Sequence, residues 1–509
     1  MNDSLNTPTI TLRTWLIVIT VMTIAILEVL DSTVVNVALT DMMASLGANS
    51  DQITWILTSY VVASAIMIPL TGFLSDRIGM KQLLITNIIG FLTFSCLCGL
   101  SSSLTTMVIF RLFQGAFGAA LIPLSQSVLR HSFPLNQQGK AMAIWGMGIM
   151  VAPVMGPTLG GYIVDVSTWR WIFYMNAPFC IIGAAMAWTF IPKTEAQSRP
   201  FDWEGIIFMV IGVGCLQLFL DQGNTQDWLQ SKTIVIFLVL CIIGLVFFII
   251  HSLKTPTPAV KLQLFSDRNF LLCTIIFAIY AGCIFGTLTL QPIMLQTLFN
   301  YDAIHAGLAV APMGLFSALA MAISAILMKR ISAKYIISAG LLSVAYGAYL
   351  LSHITLDASF NTIVKDNLAF GFGLGLLMVP LSTFALATLN QKDITDGSGL
   401  FSYGRMLGTS IGISLLSTLV SRLSQINWNT MGGNLNPFNP NLQQWARQQH
   451  LSLQDPSTIE QLQNTLLAQA SLQAYIDAYH SVVIVLICTI PLALLTKHVD
   501  LNKPAPMAH

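Results

Sequence analysis

The chain has 509 residues, of which 55% are hydrophobic and only 9% charged, with 23 Lys and Arg against 22 Asp and Glu. Ordinary soluble proteins carry about 25% charged residues, so the composition argues against a soluble enzyme and excludes disorder and fibrous repeats. A formal net charge of +1 gives no bulk attraction to nucleic acid.

A membrane-crossing helix needs roughly 20 mostly apolar residues, and blocks of that length recur along the sequence. They predict fourteen spans, at 15–38, 53–73, 82–100, 105–128, 138–164, 171–191, 203–220, 233–252, 269–298, 304–328, 334–353, 361–386, 398–424 and 479–497. The seventh is short and the twelfth is rich in Gly and Thr. Span 1 has weak basic flanking, ends in polar residues and lacks a small-residue cleavage site. It is read as a permanent first helix. All eight cysteines fall inside spans, with no C-x-x-C pair and no His at metal-ligand spacing. They read as packing residues, and neither a metal nor an organic cofactor is expected.

Fourteen spans put both termini on one side. That side holds Arg13, Arg77, Lys81, Arg130, Lys140, Lys193, Arg199, Lys254, Lys261, Arg268, Lys329, Arg330, Lys334, Lys392, Lys497 and Lys503. The other side holds Arg170, Lys232, Lys365, Arg422 and Arg447. Basic residues mark the cytoplasmic side, so cytoplasmic termini are expected. The one long loop, 425–478, then lies outside. It is rich in Asn and Gln and begins with Asn436, Pro437, Phe438, Asn439 and Pro440. Ser457 and Glu460 have the spacing of a capping box. Ile459, Leu462, Leu466 and Ala470 follow at helical spacing. The region reads either as a packed lid or as a docking surface for an extracytoplasmic partner.

Ionisable residues inside a bilayer are costly and face protein or water. Glu28 and Asp31 in span 1, Arg111 in span 4 and Arg405 in span 13 are of this kind. Glu28 and Asp31, three apart, share a helix face. At about 1.5 Å rise per residue, Asp31 and Arg111 lie roughly 12 and 9 Å below the outer boundary. Gln114 falls near the level of Glu28. The matching depths predict that Asp31 meets Arg111. A carboxylate beside an arginine stays ionised, and one moved into apolar surroundings takes a proton. Asp31, Glu28 and Arg111 are therefore candidates for proton coupling, the alternative being a static ion pair. Arg405 reads as a residue that snorkels or caps carbonyls. Glu28, Asp31, Gln114, Tyr280, Phe285 and Gln291 are candidates for a substrate cavity, with core packing as the alternative for the last three.

Several motifs join these readings. Gly72, Phe73, Leu74, Ser75, Asp76, Arg77, Ile78, Gly79, Met80 and Lys81 resemble a signature of the major facilitator superfamily in the loop after span 2. Gly72 permits close helix approach, Asp76 can bind a helix N-terminus, and Arg77 and Lys81 can make ion pairs that latch one side. Arg111, Gln114, Gly115, Gly118 and Pro123 are similar to the fourth helix of that superfamily, whose arginine takes part in proton coupling. Span 5 carries Gly148, Ala152, Gly156 and Gly160 at every fourth position, which lets helix backbones touch. Pro153 and Pro157 are expected to bend it. Gly156, Pro157, Thr158, Leu159, Gly160 and Gly161 resemble the antiporter motif, which implies export against protons. Leu30 to Leu39 is similar to the L-D-x-T-V-V-N-V-A-L-P signature of drug:proton antiporters, with Thr40 in place of proline.

Trp169 to Phe173, Asn176, Pro178, Phe201, Asp202, Trp203, Gly205, Gly307 to Pro312, Gly404, Arg405, Gly408 and Gly412 extend the resemblance to the fourteen-span EmrB/QacA-like branch. The Asn436–Pro440 stretch looks more like the EmrB type.

The resemblance implies an all-α major facilitator fold of two six-helix bundles, 1–192 and 263–509, with a two-helix insert, 193–262, between them. It implies proton-driven export of hydrophobic or amphipathic compounds across a bacterial inner membrane, the proton being the coupling ion. It also implies an EmrA-like periplasmic adaptor and a TolC-like outer-membrane channel as partners. An internal repeat agrees with two halves: Arg77 and Lys81 are echoed by Arg330 and Lys334, and Gly118 and Pro123 by Gly375 and Pro380. Leu368 stands at the Arg111-equivalent position, so coupling is expected in the N-terminal half. A dedicated exporter of one metabolite, siderophore or lipid is the rival on the same fold. Uptake by symport is disfavoured by span 5, and no catalytic or nucleotide motif supports an enzyme or receptor.

Overall fold

The computed structural model describes residues 12–497 apart from 49, 134, 195–199, 329, 434, 437, 449–451, 453 and 454. Arg199, Lys329, Pro437 and Lys503 lie outside the described residues, as do the side chains of Thr40, Pro153, Pro157 and Thr158. The described chain is helical, with no strand.

In order the helices are α1 (Leu12–Leu46), α2 (Ser50–Ile53), α3 (Trp55–Met67), α4 (Thr71–Ile78), α5 (Met80–Leu100), α6 (Leu104–Gly118), α7 (Leu121–Ser132), α8 (Leu135–Val166), α9 (Trp171–Tyr174) and α10 (Asn176–Phe190). Then follow α11 (Trp203–Gln222), α12 (Lys232–Lys254), α13 (Arg268–Leu298), α14 (Ala303–Leu327), α15 (Ala333–Leu351), α16 (Phe360–Ala387), α17 (Ile394–Gly432), α18 (Pro440–Gln448) and α19 (Pro456–Leu494).

Twelve segments are long and apolar enough to cross a membrane, and the bent pair α3–α4 makes thirteen when taken as one span. The remaining predicted span, 138–164, falls within the 32 residues of α8. The chain is a multi-pass membrane protein.

Prolines explain where the spans break. Pro69 has no N–H to give the Ala65 carbonyl, and α3 and α4 meet there at 61°. The predicted span to residue 73 therefore stops short, and most of the expected loop is the short helix α4. Gly79, at φ +86°, ends it in a single residue before α5. Only glycine adopts that φ without strain. In the same way α6 gives way to α7 at Ala119 and Ala120, four residues before Pro123.

The start of α19 also differs from the expected capping box. Asp455 is the N-cap, accepting from the Ser457 N–H at 3.3 Å. Pro456 occupies the first turn, where no N–H is needed. Both α17 and α19 run for 39 residues, roughly 58 Å each, so the presumed loop is largely helical at both ends.

Helix α1 packs on α8 and α10, α3 on α6, and α5 on α6 and α10. On the other side α13 packs on α17, α14 on α16, and α15 on α16 and α19. The stripe on α8 lies against α1: Gly148 faces Met22 and Ile26, a Cβ on Gly156 would overlap Thr33, and Gly160 meets Val34 and Val37. Gly282 and Gly286 of α13 meet Gly408 and Gly412 of α17 in a second seam of this kind. Helices α11 and α12 pair through Gly212 and Gly244. Through α11 this pair packs on both α3 and α17.

Candidate functional site

A polar knot lies inside the N-terminal bundle. Asp31 of α1 and Arg111, Gln114 and Asn176 are all at most 1% exposed. Arg111 Nη1 donates to Asp31 Oδ2 at 2.8 Å, Gln114 Nε2 to Oδ1 at 3.0 Å, and Asn176 Nδ2 to Oδ1 at 2.6 Å. Arg111 also donates to Gln114 Oε1 at 2.9 Å and, through Nε, to the Ile56 carbonyl at 3.3 Å. Asn176 reaches Ser95 Oγ at 2.9 Å. Both oxygens of Asp31 are thus occupied by donors, as burial of a carboxylate requires.

Next to the knot is a cavity of about 380 Å³. Glu28 and Ser32 of α1, Tyr60 and Ser64 of α3, Gln217 and Asp221 of α11, and Arg405 and Ser410 of α17 are among its walls. Arg405 is eleven residues into α17, roughly 16 Å from its start, and Ser417 is roughly 18 Å further on. The cavity therefore runs from mid-depth toward the end away from α4. Tyr60 joins it to the knot: its hydroxyl donates to Glu28 Oε1 at 3.3 Å, and Arg111 stacks on its ring at 4.3 Å. A second, apolar cavity of about 260 Å³, with Met209, Val213, Phe248 and Leu407 in its walls, also borders α11 and α17.

The two halves meet at the end carrying α4. Gly72 lies so close to Asp396 of α17 that any Cβ would overlap it. Asp396 and Asp393 both hold Lys261, at 2.7 and 2.6 Å. Ser127 and Thr395 share a hydrogen bond of 2.8 Å across the halves. Arg130, only 3% exposed, donates to the carbonyls of Ser382 and Thr383 of α16. Arg77 lies over the Phe201 ring at 5.3 Å. Instead of the expected ion pair, Lys81 donates to the Trp188 carbonyl. Asp76 is half-buried within α4.

The structure brings Asp31, Arg111 and Gln114 together, but behind the cavity rather than on its wall. Of the six predicted cavity residues, Glu28 alone lines it. Tyr280 is buried in the C-terminal bundle, donating to the Leu374 carbonyl at 2.9 Å. Gln291 is buried on the same helix, and Phe285 packs partly buried against the core. Arg405, read as a residue that snorkels or caps carbonyls, lines the cavity together with Glu28.

Sequence reasoning missed Tyr60, Asp221, Arg130 and Asp396 as site residues, and it named Asn176 only within a motif, without its contact to Asp31. The predicted seventh span ended at residue 220, one short of Asp221. Arg130 was counted only as a loop cation. Neutral Asn and Tyr inside apolar helices leave no signal of their own.

The model of the Major Facilitator Superfamily matches residues 21–413. The chain is 36% identical over 452 residues to the multidrug export protein EmrB of Haemophilus influenzae, covering 87% of this chain and 88% of that one. It is 34% identical to the fatty acid resistance protein FarB of Neisseria gonorrhoeae, covering 92% and 94%. It is also 34% identical to the multidrug export protein EmrB of Escherichia coli K12, covering 83% and 84%. Among solved structures, the human organic anion transporter MFSD10 superposes with a TM-score of 0.60 at 14% identity, covering 93% of this chain and 99% of that one. The proton:xylose symporter XylE superposes with a TM-score of 0.59 at 12% identity, covering 92% and 94%. These two likenesses show the fold. With the sequence relatives they lead to one assignment: the chain belongs to the Major Facilitator Superfamily and is a multi-pass membrane transporter rather than an enzyme.

Proposed function

We propose that the protein is a proton-driven multidrug exporter working by alternating access across a bacterial inner membrane, with both termini cytoplasmic. The knot at Asp31, one helical turn from a cavity acid, is the observation that carries this reading. The EmrB relatives support the cargo class, and the bias of basic residues supports the orientation.

Protonating Asp31 removes the charge that holds Arg111 and the acceptor that holds Gln114 and Asn176. The proton therefore favours a different packing of α1, α6 and α10. Glu28 meets the substrate, and Tyr60 passes that occupancy to Arg111 through its ring. A membrane potential of 100 mV gives about 2.3 kcal/mol per charge moved, roughly fifty-fold in concentration. The α4–α5 turn, with Asp76, Arg77 and Lys81, braces the end that closes. The Gly148–Gly160 stripe lets α8 slide on α1. The two bundles, 1–192 and 263–509, rock about the cavity, and the outward extensions of α17 and α19 receive a periplasmic adaptor.

Drug transport in proteoliposomes under an imposed pH gradient tests this. Wild type is expected to transport only with the gradient, and Asp31→Asn not at all. Equal transport without a gradient, or an undiminished mutant, would refute the coupling. A second reading, export of one lipid-like cargo, draws on the FarB relative. A screen in which only long-chain fatty acids are moved would establish it.

A further inference from the structure

We infer that Asp221 on α11 is a substrate-binding residue that selects organic cations, so that the inserted helix forms a working wall of the cavity. The inference deepens the export reading and rests on this cavity being its substrate site.

Placement comes first. Helix α11 belongs to the two-helix insert, yet it is tied to α17 by a ladder of hydrogen bonds. Gln217 Nε2 donates to Ser410 Oγ at 3.0 Å, Ser414 Oγ to the Leu220 carbonyl at 2.7 Å, and Trp228 Nε1, beyond the helix, to Thr418 Oγ1 at 3.2 Å. Toward α3, Thr58 Oγ1 donates to Asp221 Oδ2. The insert is thus wedged between the halves, with its polar face turned to the cavity.

Charge is the second observation. Three carboxylates lie in or beside the cavity. Asp31 is paired with Arg111, and Glu28 shares the cavity wall with Arg405, the one cation there among the described residues. Among the described residues, Asp221 has only the neutral partners Thr58 and Gln222, and its side chain is exposed where it meets the cavity. An acid inside a membrane-length helix without a countercharge is costly. Asp221 also stands in the last turn of α11, where the helix dipole opposes a negative charge. The fold gains nothing electrostatically from it there.

Glu28, Asp221 and Arg405 together leave the cavity one negative charge in excess. A cationic ligand supplies what is missing, and the Tyr60 ring adds an attractive face for it. The volume falls within the range of small-molecule sites, about 300–1,000 Å³.

The test is equilibrium binding to the full-length protein in detergent, with tetraphenylphosphonium as the cation and triphenylphosphine oxide as a neutral compound of similar shape. Wild type is expected to bind the cation about ten-fold more tightly than the neutral compound. Asp221→Asn, which keeps the shape and the Thr58 hydrogen bond, is expected to weaken cation binding about ten-fold, one charge pair's worth. It leaves the neutral compound unchanged, and Asp221→Glu retains cation binding. Equal affinities in wild type, or equal effects of Asp221→Asn on both compounds, would overturn the inference. Binding that follows this pattern in a protein that fails to transport under a gradient would sink the export reading alone.

Discussion

At the scale of single residues, the most informative side chain is Tyr60, which touches the cavity acid with its hydroxyl and Arg111 with its ring. Tyr60→Phe keeps the stacking and removes the hydrogen bond to Glu28. Drug binding to this variant is expected to release fewer protons per drug bound than in wild type, measured in weakly buffered detergent. An unchanged ratio would exclude this route between substrate and proton. Asp202, just before α11 and outside its membrane-spanning part, offers a pH test. Burial pushes its carboxyl up, but the Ala259 and Gly205 N–H groups and His251 more than offset this, and its pKa lies below the ordinary value. Its stabilisation is therefore complete above the ordinary carboxylate pKa, about 4, and is lost as pH falls through the lowered value. Asp202→Ala should cost about 1–2 kcal/mol near neutrality, and the gap in thermal stability should close below about pH 4. The meeting of Asp31 and Arg111 was legible in the sequence because charges in apolar helices stand out and depth follows from helical rise. Gln114, expected in the cavity near the level of Glu28, instead donates to Asp31 behind it, since helical rise does not say which way a side chain turns. Asn176 was legible only as part of a motif.

At the scale of elements, close helix contact is set by small residues. Gly412→Val would push a side chain into the backbone of Gly282. Overpacking of this kind costs about 1–3 kcal/mol, so a clear fall in thermal stability is expected. Gly161→Ala is the contrast: nothing lies within 4 Å of the added Cβ, and the variant should be neutral or slightly stabilised. The spacing of the α8 stripe was readable because small residues every fourth position define one helix face. Which helix covers that face was not readable, since periodicity describes one surface at a time. The same limit hid the part α11 takes in the cavity. The break at Pro69 was within reach, because a proline without its N–H interrupts any span. The apolar residues on both sides nevertheless made 53–73 look continuous.

At the scale of the whole molecule, the halves touch at the α4 end and part around the cavity toward the other. Arg130 is central to that contact, because its guanidinium crosses from α7 to two carbonyls of α16. Arg130→Met should loosen the closed end. A cysteine replacing the buried Ser75 of α4 should then react with maleimide about ten-fold faster, as expected for a shift of roughly 1.4 kcal/mol between two states. An unchanged rate would show that the other crossing contacts suffice. The all-helical membrane fold followed from composition and block length. The contacts that close one end did not, because they join residues more than one hundred and thirty positions apart, from Lys261 with Asp393 to Ser127 with Thr395.

The length of α17 has a mechanical consequence. From the seam at Gly412 to Gly432 the helix continues for twenty residues, a rigid arm of about 30 Å. A rotation of roughly 15°, of the size seen when protein subunits swing, would sweep its tip by roughly 8 Å, while atoms at the pivot hardly shift. The arm magnifies what happens at the cavity, so a spectroscopic reporter near residue 430 would register each turnover with far greater amplitude than one beside the substrate.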